Sequence, residues 1–357
     1  HFFETLDSAI AVLKDVVENN PDAKPLEEVD ALYHGDYSKW LKLANSVKLR
    51  LAMRICYVKP DLAKQYAMEA VRDGVMETAD DSALFQSWGS ITVINPLEKI
   101  WNGYSDTRMG ASMDSYLNGY NDPRLPVYFQ PVTDGDNKGE YRGVANGMPN
   151  PQQEDYKAMS SPNVQEKSTD SPLRWMMASE VAFLRAEGAM RGWTAEMGGT
   201  AEEFYNKGIE LSFLENGLSA DAAARYAADE TSKPTDFTDA SAANTKYNIS
   251  ALGKIAIKWN SGASEEEQLE RIITQKWIAM FPNGTEAWSE FRRTGYPRLF
   301  PVRYNYPSSG VDTNKQIRRM VFPQSEYSNN GAAVQEAVKL LGGPDNGGTK
   351  LWWDKKN

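Results

Sequence analysis

Residues 38–57 read SKWLKLANSVKLRLAMRICY. Trp40, Leu43, Ala44, Val47, Leu51 and Ile55 recur at helical spacing and form one apolar stripe. Lys39, Lys42, Lys48, Arg50 and Arg54 fall mostly off it. Pro60 then stands where a second helix would begin, a position that tolerates proline because an N–H there would have no intrahelical partner. This second helix carries Ala63, Tyr66, Ala67, Ala70 and Val71 and stops at Gly74. Two helices joined by so short a link are expected to run antiparallel, and the pair has about the length of one tetratricopeptide unit.

The same device recurs downstream. Residues 171–193, SPLRWMMASEVAFLRAEGAMRGW, predict a helix with Trp175, Met176, Val181, Leu184 and Ala189 on its stripe. Residues 200–217, TAEEFYNKGIELSFLENG, answer with Phe204, Ile209, Leu211 and Leu214 and close at Gly217. Thr200 and Glu203 have the spacing of a capping box. Ala186, Gly188 and Ala189 are small enough for helices to approach closely. A third helix is predicted in residues 264–281, SEEEQLERIITQKWIAMF, with a capping box at Ser264 and Glu267 and a stripe of Leu269, Ile272, Ile273, Trp277 and Met280. Residues 282–299, PNGTEAWSEFRRTGYPRL, predict a short helix capped by Asn283 or Thr285 and ended by Gly295, with Ala287, Trp288 and Phe291 turned inward. Glu286 and Glu290 are like charges on one face, which Arg293 can relieve. These charges are expected to hold the turn by ion pairs rather than to do chemistry.

The chain has 357 residues and a formal net charge of −10, with a pI near 5.0. An acidic surface argues against nucleic acid, whose phosphates need a positive one. Cys56 is the single cysteine, so neither an intrachain disulfide nor a cysteine zinc site is available, and its place in an apolar stripe suggests a small core residue. With only His1 and His34, a site built on histidine is not expected. Neither a metal nor a cofactor is called for. No run is long and apolar enough to predict a membrane-spanning helix. The opening residues are already helical in rhythm, at Phe3, Leu6, Ile10, Leu13 and Val17, with no signal peptide ahead of them, and the chain looks like the remainder of a longer precursor.

Between the helical pairs, residues 80–171 are rich in Gly, Pro, Asn, Ser and aromatics and predict a long loop-rich region. Loops of this length are functional or disordered, and the aromatic content argues against disorder. The expected layout is one domain, 1–357, with a helical scaffold at 1–79 and 172–340 and a loop-rich ligand face inserted at about 80–171. Phosphate-binding glycine loops and the common hydrolase and metalloprotease motifs are absent from the sequence. DGDNKG, residues 134–139, departs from a calcium loop at its fifth and twelfth positions and reads as an acidic turn.

Trp88, Trp101, Tyr104, Tyr120, Tyr128, Tyr141 and Tyr156 all fall in the loop-rich region, interleaved with Asn102, Asp106, Arg108, Arg142 and Asn146. Sugars offer C–H faces that pack on aromatic rings and hydroxyls that bond to amides, carboxylates and guanidinium groups. Any single ring is expected to pin a loop, but the set is expected to include an exposed platform. The candidate ligand residues are Trp88, Trp101, Tyr104, Tyr141, Arg142, Asn146 and Tyr156, with no catalytic residue.

Several stretches together resemble one family. They are YHGDYSKWLKLANSVKLRLAMRI (33–55), NPLEKIWNGYSDTRMGASMDSYLNGYNDPRLPVYF (95–129), IITQKWIAMFPNGTEAWSEFRRTGYPRL (272–299), RRMVFPQSEYSNN (318–330) and KLWWD (350–354). They look like the SusD/RagB nutrient-binding lipoproteins of the Bacteroidetes outer membrane, nearer the second SusD-like branch. The resemblance implies a mostly α fold of tetratricopeptide-like hairpins beneath a loop-rich face. It also implies a cell-surface lipoprotein, held by an N-terminal lipid anchor that this chain lacks, that passes glycan to a SusC-like TonB-dependent transporter without catalysis. A peptide-binding scaffold of the same system and a glycoside hydrolase are the competing expectations.

Overall fold

The structure is a computed structural model that describes residues 1–149, 152–163, 171–240 and 242–356. Helices α1 (Phe2–Asn19), α2 (Tyr37–Arg54) and α3 (Pro60–Arg72) pack in sequence. The Asp36 carboxylate caps α2 by accepting from the N–H groups of Ser38 and Lys39. Pro60 opens α3, and the chain leaves it through Gly74 at φ +92°. Ala63, Ala67 and Ala70 are wholly buried against α2, so small side chains set the close approach of the hairpin.

After α4 (Ala111–Gly119), helices α5 (Ala178–Met190) and α6 (Ala201–Leu214) form the second pair, followed by α7 (Ala220–Ala227) and then α8 (Glu265–Ala279), α9 (Gly284–Thr294) and α10 (Gln324–Leu341). Both halves of the Thr200–Glu203 capping box are made. Helix α5 is buried almost all round. It contributes Val181 and Leu184 to one apolar cluster with α2, α3 and Leu211, and Phe183 to another with α4, α6 and α8, where Tyr116, Tyr205, Ile209, Phe213, Ile272 and Ile273 meet. A side chain on Gly208 would place its Cβ 2.7 Å from the Phe183 ring, so glycine is what lets α6 lie on α5.

Three expectations need correction. The helix predicted from residue 171 begins only at Ala178. Ahead of it, Leu173–Met176 is a strand, β2, paired antiparallel with β1 (Ala83–Phe85). Strand geometry alternates the side chains, so Met176 is buried while Trp175 is 49% exposed and stacks on Phe85 at 5.0 Å. Ser264 caps α8, but Glu267 does not complete the box, because its carboxylate is taken by Arg271 at 2.7 Å one turn on. Residues 80–171 are not all loop: α4 sends Tyr116, Leu117 and Tyr120 into the second cluster, and Tyr128 joins them from a short turn.

The charges of α9 pair as expected, but deep inside rather than on a helix surface. Arg293 bonds to both Glu187 and Glu290. Arg54 reaches Glu286 and Glu290, Arg50 forks onto Glu180, and Lys276 lies 3.0 Å from Glu290. Four helices, α2, α5, α8 and α9, are therefore joined by charge. The arrangement keeps like charges apart: each carboxylate faces at least one cation. Beyond α9, the Asp354 carboxylate accepts two hydrogen bonds from Arg318, at 2.5 and 2.7 Å, and the Trp353 ring lies under Arg54 and Arg292. Cys56 is a buried core residue beside Arg293, as its stripe position suggested. No helix among the described residues is long and apolar enough to cross a membrane.

Candidate functional site

Two recesses are lined by the segment 95–109. The first, a cavity of about 300 Å³, is lined by Trp101, Phe281 and Trp175. The rings of Trp101 and Phe281 are nearly parallel, 10° apart with centroids at 6.0 Å. Phe281 is fixed in turn by Tyr128 and Phe129, at 4.8 and 5.0 Å. Asn95 is spent on structure: it accepts from Leu97 N–H and donates to the Pro172 carbonyl. Other polar groups retain capacity. Asn163 donates to Pro126 C=O, which leaves its own side-chain oxygen open, and Asn283 accepts from Glu286 N–H, which leaves its NH₂ open. Arg174 uses one nitrogen, Nη2, on Glu215 and Asn216. Glu98 lines the recess, and its carboxylate has no hydrogen-bond or ion-pair partner among the described residues. The result is an apolar floor, two accessible indole rings and a carboxylate, amide and guanidinium with unused hydrogen-bonding positions.

The second recess, about 740 Å³, is lined by Tyr104, Asp106, Arg108, Met109, Asn146, Met148 and Tyr156. Tyr104 is 60% exposed, with the Lys99 ammonium 5.8 Å from its ring. Arg108 is consumed by the carbonyls of Ser105, Thr107, Tyr156 and Lys157, and burial lowers its pKa. Tyr156 is buried; its hydroxyl bonds to Asp239 and accepts from Asn244 at 2.7 Å. Burial, and then the Asp239 charge, push that hydroxyl well above its usual pKa, so it stays protonated and donates.

The seven candidates are thus divided. Trp101 lines the first recess; Tyr104, Asn146 and Tyr156 line the second. Trp88 lines neither: its indole N–H donates to Glu27 C=O at 2.6 Å and its ring packs on His34. Tyr141 packs on the second apolar cluster, and its carbonyl accepts from Asn118. Arg142 donates to Thr238 C=O at 2.5 Å and pairs with Glu140 and Asp114. It secures the loop whose Gly143 N–H also donates to Asp114. The side chain of Asn102 lies outside the described residues. Sequence reasoning missed Trp175, Phe281, Glu98, Arg174, Asn163 and Asn283. Pro172 just ahead of Leu-Arg-Trp-Met was a strand signal, and the Phe-Pro-Asn-Gly turn placed Phe281 at a helix end. Among the described residues no group of three or more His, Cys, Asp or Glu could hold a metal ion.

Against known proteins, the model of the SusD-like family, described as SusD and RagB outer membrane lipoprotein, matches residues 1–354. No curated protein sequence matches the chain. Among solved structures, it is similar to a chitin-binding SusD homologue from Flavobacterium johnsoniae at 42% identity and a TM-score of 0.91, over 99% of this chain and 71% of that one. It is similar to a SusD-like protein from Bacteroides thetaiotaomicron VPI-5482 at 44% identity and a TM-score of 0.90, over 98% and 71%. It is also similar to a SusD homologue from Bacteroides vulgatus ATCC 8482 at 35% identity and a TM-score of 0.90, over 99% and 70%.

Proposed function

The chain belongs to the SusD-like family of outer membrane lipoproteins, and from that premise we propose that it binds glycan at the cell surface and delivers it to a SusC-like TonB-dependent transporter, without catalysing a reaction on it. The observation that carries this reading is the first recess: Trp101 and Trp175 line it together with Leu97, Val127 and Phe281, and Glu98, Asn163, Asn283 and Arg174 hold unused hydrogen-bonding positions in it. A pocket with few polar groups on apolar walls suits a ligand with one apolar face and many hydroxyls. The ligand class we assign is a linear N-acetylglucosamine oligosaccharide. Its amide carbonyl suits the Asn283 NH₂, its amide N–H suits Glu98 or the Asn163 oxygen, and its methyl suits Leu97 and Val127. The chitin-binding relative supports the same class.

The test is a titration of the protein with chitooligosaccharides, cello-oligosaccharides, malto-oligosaccharides and peptides, followed by tryptophan fluorescence and calorimetry. Saturable binding of chitooligosaccharide that is lost in Trp101→Ala supports the reading. Saturable binding of peptide alone would replace it with a peptide scaffold. Release of reducing ends on prolonged incubation would overturn the non-catalytic assignment.

A further inference from the structure

The two recesses are lined by neighbouring stretches of one segment. Residues 95–101 line the first and residues 104–109 the second. They are joined by a π-turn, Lys99–Gly103, closed by Tyr104 N–H donating to Lys99 C=O at 3.0 Å. On an α-helix, residues three apart share a face. A π-turn is wider, rotates such residues away from each other, and is frequent at functional sites. Here it directs Trp101 into one recess and Tyr104 into the other.

The chemistry of the first recess is repeated in the second. Trp101 is accompanied by the Glu98 carboxylate and the Asn283 amide. Tyr104 is accompanied by the Asp106 carboxylate and the Asn146 amide. Neither carboxylate has a hydrogen-bond or ion-pair partner among the described residues, and the Asn146 side-chain amide makes no hydrogen bond there. A ring, a carboxylate and an amide thus stand in each recess.

We propose that one linear oligosaccharide crosses this turn and occupies both recesses, with Trp101 and Tyr104 as successive platforms. The inference rests on the glycan reading above and adds to it a selection for chain length. A short oligosaccharide fills the first recess alone. A longer one presents its next sugars to Tyr104 at high effective concentration, so the second contact strengthens the first without a second binding event.

The experiment is calorimetric titration of chitooligosaccharides from dimer to octamer into the full chain, its Tyr104→Ala and Asp106→Ala variants, and Trp101→Ala. Thermal unfolding verifies that each variant is folded. The expected result is a stoichiometry of one at every length and an affinity that rises about tenfold with length before levelling. Tyr104→Ala and Asp106→Ala should remove that rise and leave the dimer's affinity unchanged, while Trp101→Ala should weaken every length. An octamer affinity untouched by Tyr104→Ala and Asp106→Ala, or two octamers bound per chain, would overturn the shared track and leave the first recess standing. No binding of any length to the unaltered chain would overturn the glycan reading and this inference with it.

Discussion

Arg293 grips Glu187 with both ends of its guanidinium, Nη1 to Oε1 at 2.7 Å and Nη2 to Oε2 at 2.5 Å, and neither side chain reaches solvent. Removing one partner leaves the other buried charge with only its second partner, Glu290 for Arg293 or Arg191 for Glu187, and breaking a buried pair costs up to about 3–5 kcal/mol. Arg293→Met and Glu187→Ala are each expected to lose that much stability in urea unfolding at neutral pH. Glycan affinity, measured where the variants remain folded, should stay within about twofold of the unaltered chain, since neither residue lines a recess. An unchanged unfolding midpoint would contradict the role assigned to the pair.

The same carboxylate sets an acid limit. Burial alone would raise the pKa of Glu187, but the guanidinium groups of Arg293 and Arg191 outweigh it and hold the carboxyl at about 2, against an ordinary 4.5. A folded-state pKa below the unfolded one means that the stabilisation is fully present above about pH 4.5 and is lost as the pH falls towards 2. Its size is on the order of 3 kcal/mol, at about 1.4 kcal/mol per unit. Stability measured from pH 7 downward should therefore drop through that window. Glu187→Gln, already deprived of the contribution, should be weaker at pH 7 and show a shallower drop; an identical acid slope would refute the assignment.

Gly208→Ala tests the contact between α5 and α6. The added methyl would sit 2.7 Å from the wholly buried Phe183 ring, and helix propensity, which favours alanine, opposes the clash by only about 1 kcal/mol. Overpacking of a close-packed core costs about 1–3 kcal/mol, so a net loss of thermal stability is expected. A rise in the melting temperature would show that the helices can part freely.

Arg142 and Trp175 should exchange the roles that their positions in the sequence suggested. Arg142→Ala removes the hydrogen bond to Thr238 C=O and the pairing with Asp114 and Glu140, and is expected to lower the melting temperature with little change in glycan affinity. Trp175→Ala removes a half-exposed ring from the first recess, and should weaken glycan binding about tenfold with little change in melting. Thermal unfolding and calorimetry on the two variants decide the matter.

The helical pairs were legible because their signals are local. Pro60 and Gly74, the Thr200–Glu203 box and the Asn283 cap each act within one turn of helix, and all are seen in place. Residues 171–177 misled because Trp175 and Met176 continue the apolar rhythm of α5, and only pairing with distant Ala83–Phe85 makes them a strand. The charges of α9 looked superficial because an isolated helix does expose such residues; what takes them inside is pairing with Arg54, 232 positions before Glu286, and with Glu187, 106 positions before Arg293. The candidate site suffered from the same limit. Residue type pointed to the segment that lines the two recesses at Trp101 and Tyr104, but Phe281 and Trp175 line the first recess from other parts of the chain. Trp88 and Arg142 turned out to be secured to local carbonyls.

The pairing of Arg318 with Asp354 has a consequence in time. The segment around Asp354 returns to cover α9, where Arg318 also donates to the carbonyl of Arg292. The charge cluster beneath waits for α9, and its cover waits for Arg318, Trp353 and Asp354. That cover includes the Trp353 ring beside Arg54, and contacts so far apart in sequence form slowly, so the cluster is closed late in folding.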